Sequence, residues 1–270
     1  MSQSSTNEQK TEVIRIEKRI LSPTAINTYL SCPRKFYLRY IEKLTTRPSI
    51  YLIRGRIVHQ VLHLFNREKG RKEGPASPEN TCKELLGMFE KEWALSKDAI
   101  NSLGIPDERV DSFRHESELM LMNFAQWFHE CEATRADLAE ARIWSRNLGA
   151  MGVIDAVHLL GDKVILVDYK TSRHMDITED IERQAAIYAL LYRDKYGVTP
   201  HAVWIHFLRS PDDPSPVYVD EHTLQYGKIL IDSVHEKTVS QKEEDYPCKC
   251  GGNCEKEFAP APKWIGSKTS

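Results

Sequence analysis

Apolar residues recur every three or four positions through the first half of the chain and in short continuous blocks through the second. Ile26, Tyr29 and Leu30 mark a helix whose start is set by Ser22 as N-cap and Pro23 in the first turn. Pro33, directly after Cys32, opens a second helix. Val58, Val61, Leu62 and Phe65 share one face of a helix over 54–70. The stretch 70–78 reads as a loop from its Gly and Pro content, and helices follow over 79–97 and 107–135. From residue 138 the pattern is that of strands: "AEARIWSRN", then 151–160, 163–170, 201–210 and a shorter one at 216–220. A helix over 177–196 carries Ile181, Gln184, Ala185, Tyr188 and Leu191 on one face, and another over 221–240 follows the last strand. No internal repeat is visible. Helices followed by a helix-interrupted sheet predict an α/β fold with a helical insertion.

One pair of strands breaks the apolar rule. In "GVIDAVHLLGDKVILVDYKTS", Asp155, Asp168 and Lys170 stand among Val, Ile and Leu. Gly161-Asp162 suits a two-residue type II′ hairpin turn, which pairs Leu160 with Lys163. Continued down the hairpin, that register sets Asp155 opposite Asp168, with β-carbons about 4.5–5.5 Å apart. Lys170 shares the face of Asp168, with Val153, Val157, Val164 and Leu166 around them and Ile154, Ile165 and Val167 on the other face. Both faces are apolar, so these are interior strands. Opposed carboxylates repel in a low dielectric, and a divalent cation converts that repulsion into a binding site. Carboxylate oxygens suit Mg²⁺ or Mn²⁺. The bland alternative is a structural ion pair between Asp155 and Lys170.

Charge sharpens the picture. Residues 33–72 hold eleven Lys or Arg, Arg34, Lys35, Arg54 and Arg56 among them, against two acids, Glu42 and Glu68. Phe36, Tyr37, Tyr40 and Tyr51 are interleaved. Such a stretch can follow a phosphate backbone and stack on bases, or it can be a solvated helix surface. Cys82 and Cys131 lie in helical patterns and read as buried thiols. Cys32 and the tail trio Cys248, Cys250 and Cys254 suit a metal that joins the two ends of the chain, with Gly251 and Gly252 letting the backbone wrap it. Four thiolates fit a four-iron four-sulfur cluster or a structural zinc, and unmetallated thiols are the remaining alternative. No apolar run approaches a membrane span, and "MSQSSTNEQKTE" lacks the apolar core of a signal peptide, so a cytoplasmic location is expected, with residues 1–20 a disordered or extended tail.

The order Gly152-Val153-Ile154-Asp155, then Asp168-Tyr169-Lys170, then Gln184 to Tyr188 resembles the PD-(D/E)XK nuclease superfamily. "GRIVHQ" is similar to the helical motif of its RecB-like branch, which maps a metal-binding histidine to His59. "SPTAINTYLSCPRKFYLRYIEKL" resembles the N-terminal motif of the iron–sulfur members, the AddB-type nuclease domains and the CRISPR-associated RecB-like exonucleases. The resemblance spans about 22–66, 138–208 and the cysteine tail, and the chain length suits the stand-alone CRISPR-associated type.

The resemblance implies a restriction-endonuclease-like mixed sheet flanked by helices. It would lie in one nuclease domain over 21–264, with a helical part at 21–135, a sheet core at 138–220 and a C-terminal helix and cysteine tail at 221–264. It implies His59, Asp155, Asp168 and the Tyr169 carbonyl as ligands of Mg²⁺ or Mn²⁺, with Glu140 a weaker candidate. Lys170 would position or activate the attacking water beside Asp155 and Asp168. Gln184 and Tyr188 would contact DNA or support the site. It favours an iron–sulfur cluster on the four cysteines, although Cys-x-Cys-x3-Cys is tighter than the usual spacing. The expected activity is metal-dependent DNA exonuclease action on single strands or overhangs, with the CRISPR integrase complex as a partner in spacer acquisition. A catalytically silent DNA-binding protein and an iron–sulfur redox protein are the rival readings.

Overall fold

The computed structural model describes residues 19–67, 77–130 and 135–258. The expected tail over 1–20, most of the expected loop over 70–78, Cys131 and the tail beyond 258 fall largely or wholly outside these residues. The helical half comprises α1 (Pro23–Ser31), α2 (Pro33–Phe36) continuing into a π-helical turn (Tyr37–Ile41), α3 (Ile50–Arg67), α4 (Pro78–Leu95), α5 (Lys97–Asn101) and α6 (Asp107–Glu130). The sheet half comprises β1 (Leu138–Ser145), β2 (Ala150–Leu160), β3 (Lys163–Lys170), α7 (Glu179–Tyr196), β4 (Ala202–Phe207), β5 (Ser215–Tyr218), α8 (Glu221–Lys237) and α9 (Asn253–Lys256). The π-helical turn and α5 were not legible in the spacing of apolar residues. Among the described residues no helix is long and apolar enough to cross a membrane.

Local chemistry sets the boundaries. The Ser22 side chain accepts from the Ala25 amide at 3.1 Å and starts α1. Asp220 and Thr223 form a capping box on α8. Gly161 has φ 64° and Asp162 is not left-handed, as a type II′ turn between β2 and β3 requires.

The five strands lie in the order β1-β2-β3-β4-β5, antiparallel except for the parallel β3–β4 pair, which α7 connects. This mixed sheet separates two apolar layers. On one side Ile143, Ala150, Val164, Leu166, Val203 and Ile205 pack with α1, α7 and α8. On the other, Ala156, Ile165, Val167, Tyr169 and Ala202 pack with α3, α4 and α6. The expected register is observed from Leu160↔Lys163 to Ala156↔Val167.

One expectation about the faces is corrected. Alternation along the hairpin sets Ile154 on the face opposite Val157, Val164 and Leu166, yet all four belong to the α7 layer, while Ala156 belongs to the α3 layer. Strict alternation would keep Ile154 and Ala156 on one face. The inversion falls at Asp155, and Glu140 on the neighbouring strand is left-handed at φ 47° between the pairs Ala139↔Ala156 and Ala141↔Ile154. A left-handed residue re-aims the strand locally, so the interruption lies beside the carboxylate.

Candidate nuclease site

Asp155 sits where the regular β2–β3 ladder ends. Its Oδ2 accepts the Tyr169 amide at 2.8 Å, so a side chain takes the place of a strand carbonyl. Its Oδ1 lies 3.0 Å from Nδ1 of His59, which α3 brings in from the other side of the sheet. The direct cross-strand pairing expected for Asp155 and Asp168 is thus replaced by a junction in which the aspartate reaches across to β3. Asp168 is buried at 4 % exposure. Lys170 Nζ lies 2.6 Å from its Oδ2 and 2.8 Å from Oε1 of Gln184 on α7.

Gln184 is the organiser on the α7 side. Its Nε2 donates to the Tyr188 hydroxyl at 2.9 Å and sits 3.4 Å from Oδ1 of Asp168. Tyr188 is buried, so it supports the site from beneath. Gly152 explains the first position of the Gly-x-Ile-Asp motif: a β-carbon there would come within 2.9 Å of the Tyr188 ring and 3.1 Å of Leu191. Tyr169 turns its ring into the α3 layer and its hydroxyl accepts from Asn66 at 3.3 Å.

The electrostatics are those of acids forced together. Burial raises the Asp168 carboxyl above its ordinary value, and Asp155 adds to this, against the pull of Lys170. Burial opposes a charged His59, but the Asp155 and Asp168 carboxylates outweigh it and lift the imidazole. Both acids also act on Tyr188, whose hydroxyl burial already holds neutral. The two carboxylates therefore share neighbours from both layers.

A cation fits these residues. Oδ2 of Asp168 is paired with the Lys170 ammonium at 2.6 Å and Oδ1 has only the 3.4 Å approach of Gln184, so lone pairs remain on this carboxylate. Each Asp155 oxygen holds one hydrogen bond and keeps a second lone pair. With Nδ1 of His59 committed to Asp155, Nε2 is the nitrogen left to ligate.

Arg54 is placed differently from its expected phosphate contact. It is 3 % exposed, and its guanidinium binds Glu116 Oε2 at 2.8 Å and the Thr171 carbonyl at 2.9 Å. Arg209 and Arg173 converge on the same Glu116. The network ties α3 to the residue after Lys170, and so fixes His59 relative to the acids. Sequence reading missed Glu116 and Arg209 because the partners come from distant elements with no local motif. Arg56 is exposed on α3. Arg34 pairs with Glu243, and Lys35 pairs with Glu257 at 2.6 Å, so both tie the N-terminal helices to the tail. Glu140 makes a 3.9 Å contact with Arg142.

The four cysteines meet as expected. The sulfurs of Cys32, Cys248, Cys250 and Cys254 all lie within 4.8 Å of one another. Among the described residues this is the only group of three or more His, Cys, Asp or Glu that converges so closely. Cys248 is 3.6 Å from both Cys250 and Cys254. Amides point at the sulfurs: Lys249 at Cys32 (3.4 Å), Gly252 at Cys248 (3.3 Å) and Cys254 at Cys250 (3.0 Å). The Gly252 and Cys250 amides pull the Cys248 thiol down to about 6, while burial pushes Cys254 up. Cys82 is half-buried, and burial raises its thiol.

This combination of a mixed sheet, a buried Asp-x-Lys and a helix-borne glutamine defines a nuclease fold, and comparison with known proteins agrees. A family model for the PD-(D/E)XK nuclease superfamily matches residues 20–262, so the chain belongs to that superfamily, whose nucleases use divalent metals. Among solved structures, a "putative exonuclease" from Eubacterium rectale is similar, with a TM-score of 0.53 and 11% identity over 96% of this chain and 95% of that one. At that identity the likeness is one of fold. No curated protein matches the sequence significantly.

Proposed function

We propose that the protein is a Mg²⁺- or Mn²⁺-dependent deoxyribonuclease that hydrolyses phosphodiester bonds from single-stranded ends or overhangs. The observation that carries the reading is the meeting of Asp155, Asp168 and Lys170 under Gln184, with lone pairs left on both carboxylates for a cation. His59, Asp155 and Asp168 are the residues that would hold the cation, with the Tyr169 carbonyl beside them. When bound, the cation supplies Lewis-acid stabilisation of the charge that builds on the phosphoryl oxygens. Lys170, held by Asp168 and Gln184, would orient the attacking water and stabilise the negative charge that develops on the phosphoryl oxygens. Asp155 fixes His59 through Nδ1 and anchors itself on the Tyr169 amide, so both ligands are preorganised.

The cysteine spacing supports a single tetrahedral ion. Thiolates about 2.3 Å from one zinc stand about 3.8 Å apart, close to the observed 3.6 Å contacts. In a four-iron cluster each thiolate takes a different iron and the sulfurs stand farther apart. Zinc is therefore preferred here over the iron–sulfur cluster that the sequence resemblance implies, and its role is to join the chain ends. Participation in CRISPR spacer acquisition with the integrase complex rests on the sequence resemblance alone, and co-purification tests it.

The experiment is degradation of end-labelled single-stranded DNA with Mg²⁺ or Mn²⁺. Wild type should degrade it, while Lys170→Ala and Asp168→Ala should lose at least about 100-fold. Equal degradation by all three proteins would remove the proposed site, and tight binding by a wild type that never cuts would favour a silent DNA-binding protein.

A further inference from the structure

Trp144 is 55 % exposed on the edge strand β1, and its cross-strand partner is Met151, itself exposed. Their strand neighbours Ile143, Ala150 and Ile154 pack into the α7 layer, so Trp144 and Met151 face the opposite surface of the sheet. The next pair in that row is Arg142 with Val153, and the Arg142 side chain is 79 % exposed. Arg146 lies 5.2 Å from the centroid of the Trp144 ring. The single acid with a contact to the strip among the described residues is Glu140, 3.9 Å from Arg142. Along β2 the row Met151, Val153 leads to Asp155, whose carboxylate His59 meets from the α3 side.

We propose that this strip is a stacking platform for single-stranded DNA leaving the nuclease site, with a base on Trp144 and phosphates on Arg142 and Arg146. The inference rests on the deoxyribonuclease reading and adds the subsite that holds the substrate away from the scissile bond. Trp144 lies level with Met151, four residues from Asp155, so it stands about 13 Å from the site, some four steps of a stacked strand at about 3.4 Å each. An exposed indole with flanking guanidinium groups suits a polyanion with flat faces. Stacking is indifferent to base identity, as degradation of arbitrary ends would need.

The test is anisotropy of fluorescein-labelled dT12 with the full chain in chelator, so binding is read without turnover and independently of whether the protein cuts. Trp144→Ala should raise Kd about five- to 150-fold, the loss of one base stack, and Trp144→Phe should recover most of it. Arg142→Gln with Arg146→Gln should reduce the slope of log K against log salt by about 1.4. Lys170-dependent cleavage of a dinucleotide, too short to reach the strip, should be unchanged in Trp144→Ala. An unchanged Kd for Trp144→Ala overturns the proposal, whether or not the variant alters self-association by sedimentation.

Discussion

Oδ2 of Asp155 accepts the backbone amide of Tyr169 at 2.8 Å. This one bond fixes a carboxylate on β2 to the residue of β3 that lies between Asp168 and Lys170. It closes the sheet where the regular ladder stops at Ala156↔Val167, and it keeps the first acid within reach of the second without forcing them into a direct like-charge pair.

Gly152 is predicted to be intolerant of a β-carbon. Gly152→Ala places a methyl against Tyr188 and Leu191, and such overpacking costs about 1–3 kcal/mol. Because Tyr188 carries Gln184, and Gln184 carries Lys170, nuclease turnover should fall more than DNA affinity does. Thermal melting and a kcat-against-KM comparison check this, and a variant with wild-type melting and turnover would contradict it.

Arg54 should behave as a structural link. Arg54→Ala removes hydrogen bonds to Glu116 and Thr171 while Arg209 still neutralises Glu116, so the expected loss is about 1–3 kcal/mol. In a chain of this size that lowers Tm by about 2–4 °C per kcal/mol. Arg54→Lys should not restore it, because one ammonium cannot reproduce the fork. Metal-free DNA affinity should stay close to wild type, whereas a phosphate-contacting arginine would lose it.

His206 gives a pH signature. Burial lowers its imidazole from 6.5 to about 4, among Phe124, Trp127 and Tyr169. The unfolded chain therefore binds one more proton than the folded chain between these values, and stability rises with pH across that window. The contribution is complete above about pH 6.5 and is lost as pH falls toward 4, amounting to about 3 kcal/mol. Denaturant melts at pH 4, 5, 6 and 7 on wild type and His206→Gln measure it. The variant should lose this part of the slope, and parallel curves would refute the assignment.

The cysteine site should carry one zinc per chain. Elemental analysis of protein purified without added metal should find zinc without iron or acid-labile sulfide, and the solution should be colourless. Cys32→Ser should release the metal and make the stretch around Cys248 more susceptible to protease, while the Arg34–Glu243 and Lys35–Glu257 pairs and the Tyr246 ring against Phe36 keep the rest of the tail in place. Stoichiometric iron and sulfide would restore the four-iron alternative.

Much of this was legible in the chain because the signals are local. The Gly161 turn fixes the hairpin register, so the neighbourhood of Asp155 and Asp168 follows from counting. Gln184 and Tyr188, one helical turn apart, share a face, and the cysteines announce themselves by type. What stayed hidden depends on distant partners. Burial of Arg54 depends on Glu116 from α6, and the side-switch at Asp155 depends on a left-handed Glu140 that no propensity foretells. The spacing between the cysteine sulfurs could not be read from their count, because it exists only after the ends of the chain meet.

The central claim is that one divalent ion is gripped by Asp155, Asp168 and His59. Crystals soaked in Mn²⁺ and measured at an energy where manganese scatters anomalously test it directly. An anomalous peak in contact with both carboxylates, absent from Asp168→Asn crystals, is predicted. No peak at the acids in wild-type crystals soaked at millimolar Mn²⁺, or a peak that persists in Asp168→Asn, would contradict it.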